Sequence, residues 1–307
     1  MAVPNFQEIM LPMLKFIGDG KEHSLHETID AMANHFALSE EERSSTIPNG
    51  QKLFYNRAYW AKAYLKMARL VDNTKRSHFI ITERGKAVLK ENVSAIDIAY
   101  LKRFPEFLTS YAGGKSKDNS KQDASKQDFE EVESVKETPE EIISKNHRRI
   151  QKALSQELLS RLKENSPTFF EEAVIRLLVK MGYGGSVEDA GKAIGKRGDE
   201  GIDGTIKEDK LGLDIIYVQA KRWEGSVGRP EIQKFVGALA GQGAKKGIFI
   251  TTSYFTKEAL EYIPKNETKI VLIDGELLAD LMIENDLGVT TQQSFVIKKI
   301  DNDFFDE

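Results

Sequence analysis

The stretch GDEGIDGTIKEDKLGLDIIYVQAKRW, residues 198–223, sets an acidic residue in a glycine-rich turn and ends an apolar run on Gln-Ala-Lys. A strand around residues 201–206, a turn through EDKLG and a strand over 213–221 read as an antiparallel pair. Residues two apart on a strand share a face, so Gln219 and Lys221 point the same way, with Asp203 across from them. Such a set places a carboxylate and an amide oxygen around a hard cation, with an ammonium one pleat away to hold a water or help deprotonate it. Taken alone, an aspartate followed by Gln-x-Lys is a weak pattern, and most such pairs are ordinary exposed strand residues.

Other chemistries find little to build on. The chain has no cysteine, which excludes a disulfide framework, thiolate catalysis and Cys-ligated zinc together. His23-Ser-Leu-His26-Glu27 fits neither HExxH nor HxxEH and has no third ligand at a sensible spacing, so these histidines read as surface helix residues. GKAIGKRGDEGIDG lacks the GK[ST] of a phosphate-cradling loop and the spacing of GxGxxG. With five scattered histidines, a Ser-His-Asp hydrolase is also unsupported.

At 307 residues, 40% hydrophobic and 30% charged, the chain is long enough for two ordinary domains with their own cores. No apolar stretch approaches the roughly 18 residues that a bilayer span needs, and MAVPNFQEIM lacks a basic segment followed by an apolar one, so a cytoplasmic protein without a membrane partner is expected. The net charge of −4 hides its distribution. Residues 51–90 hold ten Lys/Arg against two Asp/Glu, a local charge of +8, whereas residues 142–307 hold 24 basic against 26 acidic. A localised basic stripe is an electrostatic footprint for phosphate.

Residues 113–141, GGKSKDNSKQDASKQDFEEVESVKETPEE, are polar and low in complexity, with a small repeat in SKQDA and SKQDF. Such a segment cannot bury enough apolar surface to offset its ordering entropy and reads as a flexible linker. It divides the chain into domains 1–112 and 142–307.

In the first domain, FQEIMLPMLKFIGDG has helical apolar spacing and stops at glycine, and EHSLHETIDAMANHFALSEEER reads as a second helix with Leu25, Ile29, Met32 and Phe36 on one face. Between Gln51 and Arg69, Phe54, Ala58, Ala61, Leu65 and Ala68 recur at steps of four and three, and Tyr55, Tyr59, Lys62, Lys66 and Arg69 recur in the same rhythm one residue on. The two stripes lie about 100° apart, so one faces a core and the other is available to a groove. Leu70-Val71 and His78–Ile81 flank DNTKRS as a hairpin whose tip carries Lys75 and Arg76, followed by a helix from Thr82. Helix, helix, basic helix and basic hairpin is the order of a winged helix-turn-helix, with DNA as the expected partner and a protein-binding winged helix as the alternative.

In the second domain, helices are expected over 145–163, 167–182, 229–242, 256–263 and 274–285, with further strands at 246–251 and 269–273, an α/β fold with a mixed central sheet flanked by helices. Ser166-Pro167 opens the second helix as a cap and first-turn proline, and Glu171 and Glu172 follow in its first turn, where carboxylates suit the helix dipole.

FFEEAVIRLLVKMGYG, GDEGIDG, LDIIYVQAKRW, GRPEIQKFVGALAG, GIFITTSYFTKEA and LIDGELLADLMIEND occur in this order, behind a winged-helix-like segment. In these phrases the chain resembles the Mrr-type restriction endonucleases, a branch of the PD-(D/E)xK nuclease superfamily, over nearly its whole length apart from the linker. The resemblance implies that Asp203 is the metal-binding aspartate, that Gln219 takes the second acidic position, that Lys221 is the catalytic lysine and that Glu171 is the helix glutamate; Glu172 keeps its dipole role. Ile202 stands where the superfamily has proline, which leaves the chemistry intact, and Gln219 stands where it has Asp or Glu, which lowers the charge of the site.

The implied reaction is metal-assisted hydrolysis of a DNA phosphodiester, with Mg²⁺ held by Asp203, the Gln219 oxygen, the Ala220 carbonyl and, through water, Glu171, while Lys221 positions the attacking water. Asp199 is a further oxygen donor or an acidic turn residue, and Arg222 and Trp223 extend past the site to touch the DNA backbone, with packing at the strand end the alternative for Trp223. The resemblance further implies type IV restriction of double-stranded DNA carrying modified bases, in a bacterial or archaeal nucleoid. Cutting both strands needs two sites, hence a homo-oligomer. The neutral Gln219 keeps open a DNA-binding regulator with an inactive nuclease-like domain.

Overall fold

Asn5 opens the first helix: its side chain accepts from the N–H groups of Gln7 and Glu8, and Glu8 returns a bond to the Asn5 N–H, a reciprocal cap that starts α1 at Phe6–Phe16. The computed structural model describes residues 3–111, 136–184, 202–209, 212–262, 268–301 and 304. They fall into two units, Met1–Arg148 with Lys299–Glu307, and Arg149–Lys298.

After α1 the first unit continues with β1 (His23–Ser24), α2 (Leu25–His35), α3 (Glu40–Ser44), α4 (Leu53–Met67), β2 (Val71–Lys75), β3 (His78–Ile81), α5 (Glu83–Lys90), α6 (Ile98–Leu101) and α7 (Pro105–Tyr111). The single helix expected over residues 22–43 is therefore three pieces. Ala37 takes a positive φ of 51°, and Ser39 starts a new helix through a reciprocal cap with Glu42. His23 is not a surface helix residue either: it lies on β1, its ring between Asp19 at 2.9 Å and Glu27 at 3.4 Å.

Helix α4 forms as its periodicity requires. Phe54, Ala58, Ala61, Leu65 and Ala68 are all buried in one core with α1, α2 and the hairpin. The sheet runs β1-β3-β2, antiparallel, with His23 opposite Phe79 and Val71 opposite Ile81. Strand β1 is absent from the sequence-based reading and makes the hairpin a three-stranded sheet.

The polar segment 113–141 does not end where its composition suggests. Residues 112–135 lie outside the described residues, and α8 already begins at Pro139 and runs to Glu164. Thr138 and Glu141 make the cap, Thr138 N–H donating to Glu141 Oε2 at 2.9 Å and Glu141 N–H to Thr138 Oγ1 at 3.4 Å. The cap sits on α4: Arg57 pairs with Glu141 at 2.7 Å, the Trp60 indole donates to Glu140 at 2.6 Å, and buried Thr138 donates to buried Asn56 at 2.5 Å.

In the second unit α8 leads to α9 (Pro167–Lys180), β4 (Gly204–Lys207), β5 (Ile215–Lys221), α10 (Arg229–Gly241), β6 (Lys246–Thr251), α11 (Lys257–Leu260), β7 (Lys269–Ile273) and α12 (Gly275–Glu284). The sheet order is β4-β5-β6-β7, β4 antiparallel to β5 and the other pairs parallel. This is the expected mixed sheet flanked by helices. Alternation along β5 sorts its two faces: Ile216 and Val218 pack with α8, α9 and α12, whereas Tyr217 packs with the Phe235–Phe249–Phe255 cluster around α10. Among the described residues, no helix is long and apolar enough to cross a membrane.

Candidate active site

Strand β4 begins at Gly204, so Asp203 stands one residue ahead of the strand rather than on it. Its N–H still donates to the Val218 carbonyl at 2.9 Å, continuing the register in which Gly204 faces Val218. Beyond that point no strand among the described residues pairs with β5 on this side, and the Asp203 side chain takes over: Oδ2 accepts from the Ala220 N–H at 2.7 Å. In a strand the N–H and C=O of one residue point to the same neighbour, so the Ala220 carbonyl is also directed to the side where Asp203 sits. Burial raises the Asp203 carboxyl above its ordinary value of 3.8, against the opposing pull of the Ala220 N–H and the Lys221 charge.

Gln219 and Lys221 occupy the β5 face shared with Tyr217, as the two-residue period demands. Gln219 is 5% exposed, yet no fully enclosed side-chain polar atom among the described residues lacks a partner, so its amide either bonds or keeps contact with solvent at the end of the sheet. Lys221 Nζ lies 3.8 Å from Oε2 of Glu231 on α10 and 5.3 Å from the centre of the Trp223 ring. Glu231 was not singled out by sequence reasoning. Its first-turn position after Gly228-Arg-Pro reads as a helix-dipole carboxylate, and only the packing of α10 against the sheet brings it to the lysine. Arg222 donates to the Lys163 carbonyl, so it serves the fold at the strand end. The Trp223 backbone is held twice by Thr252, at 3.1 and 2.8 Å.

The two glutamates of α9 part company. Neither lies in the first turn of the helix, which holds no acidic residue, so the expected dipole role is not theirs; Glu172 pairs with Arg176 one turn on, at 3.7 Å. Glu171 precedes buried Val174, Ile175 and Leu178 on the helix face that packs against the sheet, and it is half-buried. Asp199 lies outside the described residues.

Among the described residues no three His, Asp or Glu side chains gather as a metal cluster. Asp203 meets Ala220 through the Ala220 N–H, and Gln219 is the next residue back on β5; the carboxylate, carbonyl and amide oxygens these residues carry are all hard donors. They fit Mg²⁺, which needs only one or two carboxylates when water and a substrate phosphate complete its shell.

In the first unit the outer stripe of α4 is placed as the spacing predicts. Tyr55 and Tyr59 are 38% and 47% exposed, and Lys66 and Arg69 are exposed beyond them. Lys62 is different: it donates to Asn73 Oδ1 at 2.6 Å and lies 5.4 Å over the Phe79 ring, where burial and the Lys66 charge lower its pKa. At the hairpin tip Arg76 is exposed and Lys75 pairs with Glu22 at 2.6 Å. The local charge of +8 is therefore thinner in space than in sequence, because Arg57, Lys75 and Arg84 meet Glu141, Glu22 and Glu106 from outside residues 51–90.

Comparison with known proteins gives two family matches, "Restriction endonuclease" over residues 162–282 and "Mrr N-terminal domain" over residues 6–91. Among curated proteins, the type IV methyl-directed restriction enzyme EcoKMrr of Escherichia coli (strain K12) is 35% identical over 319 residues that cover the whole of both chains. Among solved structures, the DNA modification-dependent restriction endonuclease AspBHI is 18% identical over 45% of this chain and 36% of its own, with a TM-score of 0.35. The MspJI restriction endonuclease in complex with a 27-mer oligonucleotide is 22% identical over 43% of this chain and 31% of its own, with a TM-score of 0.33.

Proposed function

The chain belongs to the Mrr family of restriction endonucleases, and from that membership we propose that it cleaves double-stranded DNA carrying modified bases, in a Mg²⁺-dependent reaction centred on Asp203, Gln219 and Lys221. The observation that carries this reading is the end of the β4–β5 pair. There a half-buried carboxylate reaches the Ala220 N–H beside a lysine and an amide on one strand face.

Asp203, the Ala220 carbonyl and the Gln219 oxygen would hold the ion, with Glu171 reaching it through water. Bound there, Mg²⁺ supplies charge neutralisation on the phosphate and a more acidic water. Asp203 is suited to its part because burial leaves its charge under-solvated, so a cation in front of it is favoured. Gln219 contributes an oxygen without adding charge. Lys221 directs its ammonium at the scissile phosphate and orients the attacking water, a role that a mobile four-carbon stem fills only when the ammonium is held. The outer face of α4 and the hairpin tip contact DNA: Lys66, Arg69 and Arg76 at phosphates, Tyr55 and Tyr59 beside them, Lys62 bracing the hairpin, and Lys75 exchanging its exposed pairing with Glu22 for phosphate. Residues 1–112 form the DNA-binding domain and the region from α8 onward the nuclease, acting as a homo-oligomer so that two sites meet two strands.

The test uses plasmids modified by a panel of methyltransferases. The wild type should cut at least one of them in Mg²⁺ and none in EDTA, and Lys221→Ala should abolish cutting while gel-shift affinity for DNA remains. Uncut plasmids throughout, with DNA binding intact, would instead favour a regulator with an inactive nuclease fold, a reading compatible with the neutral Gln219.

A further inference from the structure

Glu231 sits in the first turn of α10, where a carboxylate suits the helix dipole, and its Oε1 pairs with Lys234 at 2.7 Å. Those two roles account for one oxygen and leave the burial of the residue unexplained. Lys234 is 73% exposed and Glu231 only 19%. A pair with a solvated lysine gives no reason to withdraw a carboxylate from water, which costs free energy. The second oxygen supplies the reason: Oε2 is 3.8 Å from Nζ of Lys221, the same nitrogen that lies 5.3 Å from the centre of the Trp223 ring.

Both supports are anchored. Thr252, itself buried, brackets the Trp223 backbone by accepting from its N–H and donating to its carbonyl. The start of α10 is pinned by Val227, whose N–H donates to Tyr254 O at 2.8 Å and whose carbonyl accepts from Thr256 N–H at 3.0 Å. Further along, Phe235 and Leu239 press onto Gly247 of β6, where an added Cβ would stand 2.7–2.9 Å from them. The helix thus approaches the sheet as closely as only glycine allows, and Glu231 is carried to the end of β5 by a rigid element.

We infer that Glu231 is a positioning residue for Lys221: its carboxylate, together with the Trp223 ring, holds the ammonium in the site that Asp203 and Gln219 share. This rests on the reading of Asp203, Gln219 and Lys221 as the hydrolytic centre. Because Gln219 is neutral, Asp203 is the only ionised acid in that triad, and Glu231 adds a second negative charge next to the lysine without occupying the place of the phosphate.

The experiment compares full-length wild type, Glu231→Gln, Lys234→Ala and Lys221→Met. Three quantities are read: the dependence of plasmid cleavage rate on DNA concentration, DNA affinity in EDTA, and the extent of Lys221 acetylation by trace acetic anhydride at one pH without DNA, measured by peptide mass spectrometry. Glu231→Gln should lower the maximal rate roughly 10- to 100-fold, as misplacement of a catalytic group does, with half-saturating DNA and affinity unchanged. It should also raise Lys221 acetylation several-fold relative to the other lysines, and Lys234→Ala should match wild type in every readout. Wild-type rate and labelling in Glu231→Gln would overturn the inference, as would a rate loss shared with Lys234→Ala and unaccompanied by a labelling change, which marks a helix-start role. Cleavage by Lys221→Met would overturn the hydrolytic centre itself, an outcome separate from failure of the Glu231 arm.

Discussion

Replacing Asp203 with asparagine separates what the site needs from what the fold needs. Among the described residues the carboxylate accepts from the Ala220 N–H at 2.7 Å, and an asparagine oxygen accepts the same bond. The loss is the difference between a charge-assisted and a neutral hydrogen bond, about 1 kcal/mol. Against it stands the relief of desolvation, which is the larger effect, since burial raises the carboxyl above 3.8 despite the N–H and Lys221. A carboxyl whose folded pKa exceeds its unfolded one binds its proton more tightly in the native state. Its stabilising contribution is present in full below 3.8 and is lost as pH rises through the raised folded value, so at neutral pH the ionised Asp203 is a net cost to the metal-free fold. Asp203→Asn should therefore unfold within about 1 kcal/mol of wild type, or later, a shift of no more than about 2–4 °C downward. Mg²⁺ reverses the comparison: at ten times its dissociation constant it stabilises the wild type by about 1.4 kcal/mol, and the asparagine variant should gain little and cut nothing. Thermal unfolding in EDTA and in Mg²⁺, run beside plasmid cleavage, measures both halves. A variant several kcal/mol weaker in EDTA, or one with the full Mg²⁺ gain, would refute the reasoning.

Gln219→Glu should fold and tighten Mg²⁺ binding, because a carboxylate oxygen replaces an amide oxygen, whereas Gln219→Leu should fold and lose Mg²⁺-dependent cleavage; cleavage titrated against Mg²⁺ reads both, and a wild-type profile for the leucine variant removes Gln219 from the site. Lys66→Ala should weaken binding to all sequences and lower the slope of log K against log salt by about one unit, while Lys62→Ala should chiefly loosen the hairpin that Asn73 and Phe79 tie to α4; gel shifts over a salt series and amide exchange of residues 71–81 distinguish the two. Arg57→Ala should destabilise the first unit by about 3 kcal/mol in urea unfolding, since it strands a mostly buried Glu141. Although burial pushes Glu141 up, the Arg57 and Thr138 bonds outweigh it and hold its carboxyl below 4.5, so this stability is present above pH 4.5 and lost as pH falls through the lowered value.

At two helix starts that the sequence-based reading missed, a local signal was present but outweighed by a regional one. Thr138-Pro-Glu-Glu141 has the residues of a reciprocal cap with proline at the first turn, and it starts α8 inside a stretch whose composition says linker. Ser39 and Glu42 end the apparent continuity of residues 22–43 in the same way. Composition averages over tens of residues, whereas a cap is decided by four. The two-residue β1 carries no periodic signal of its own; it exists because Phe79 and His78 offer it a ladder.

Periodicity and residue type were enough for the parts whose physics is local. The steps of four and three in α4 put Phe54, Ala58, Ala61 and Leu65 in a core and leave Tyr55, Tyr59 and Lys66 outside, as 3.6 residues per turn sorts them, whereas Arg69 lies past the helix end with a positive φ of 55°. The two-residue period of β5 likewise put Gln219 and Lys221 on one face before any partner was known. Partnerships across the chain were decided only by the tertiary structure. The spacing of Asp203 from Ala220 says nothing of a side chain replacing a strand's hydrogen bond, and the ten cations of residues 51–90 do not announce which will be met by Glu22, Glu106 and Glu141. Glu231 reads as a helix-start carboxylate until Phe235 and Leu239 close on Gly247 and bring it to Lys221. Electrostatic contacts depend on distance in space, and distance in space is set by the packing of faces that no single segment contains.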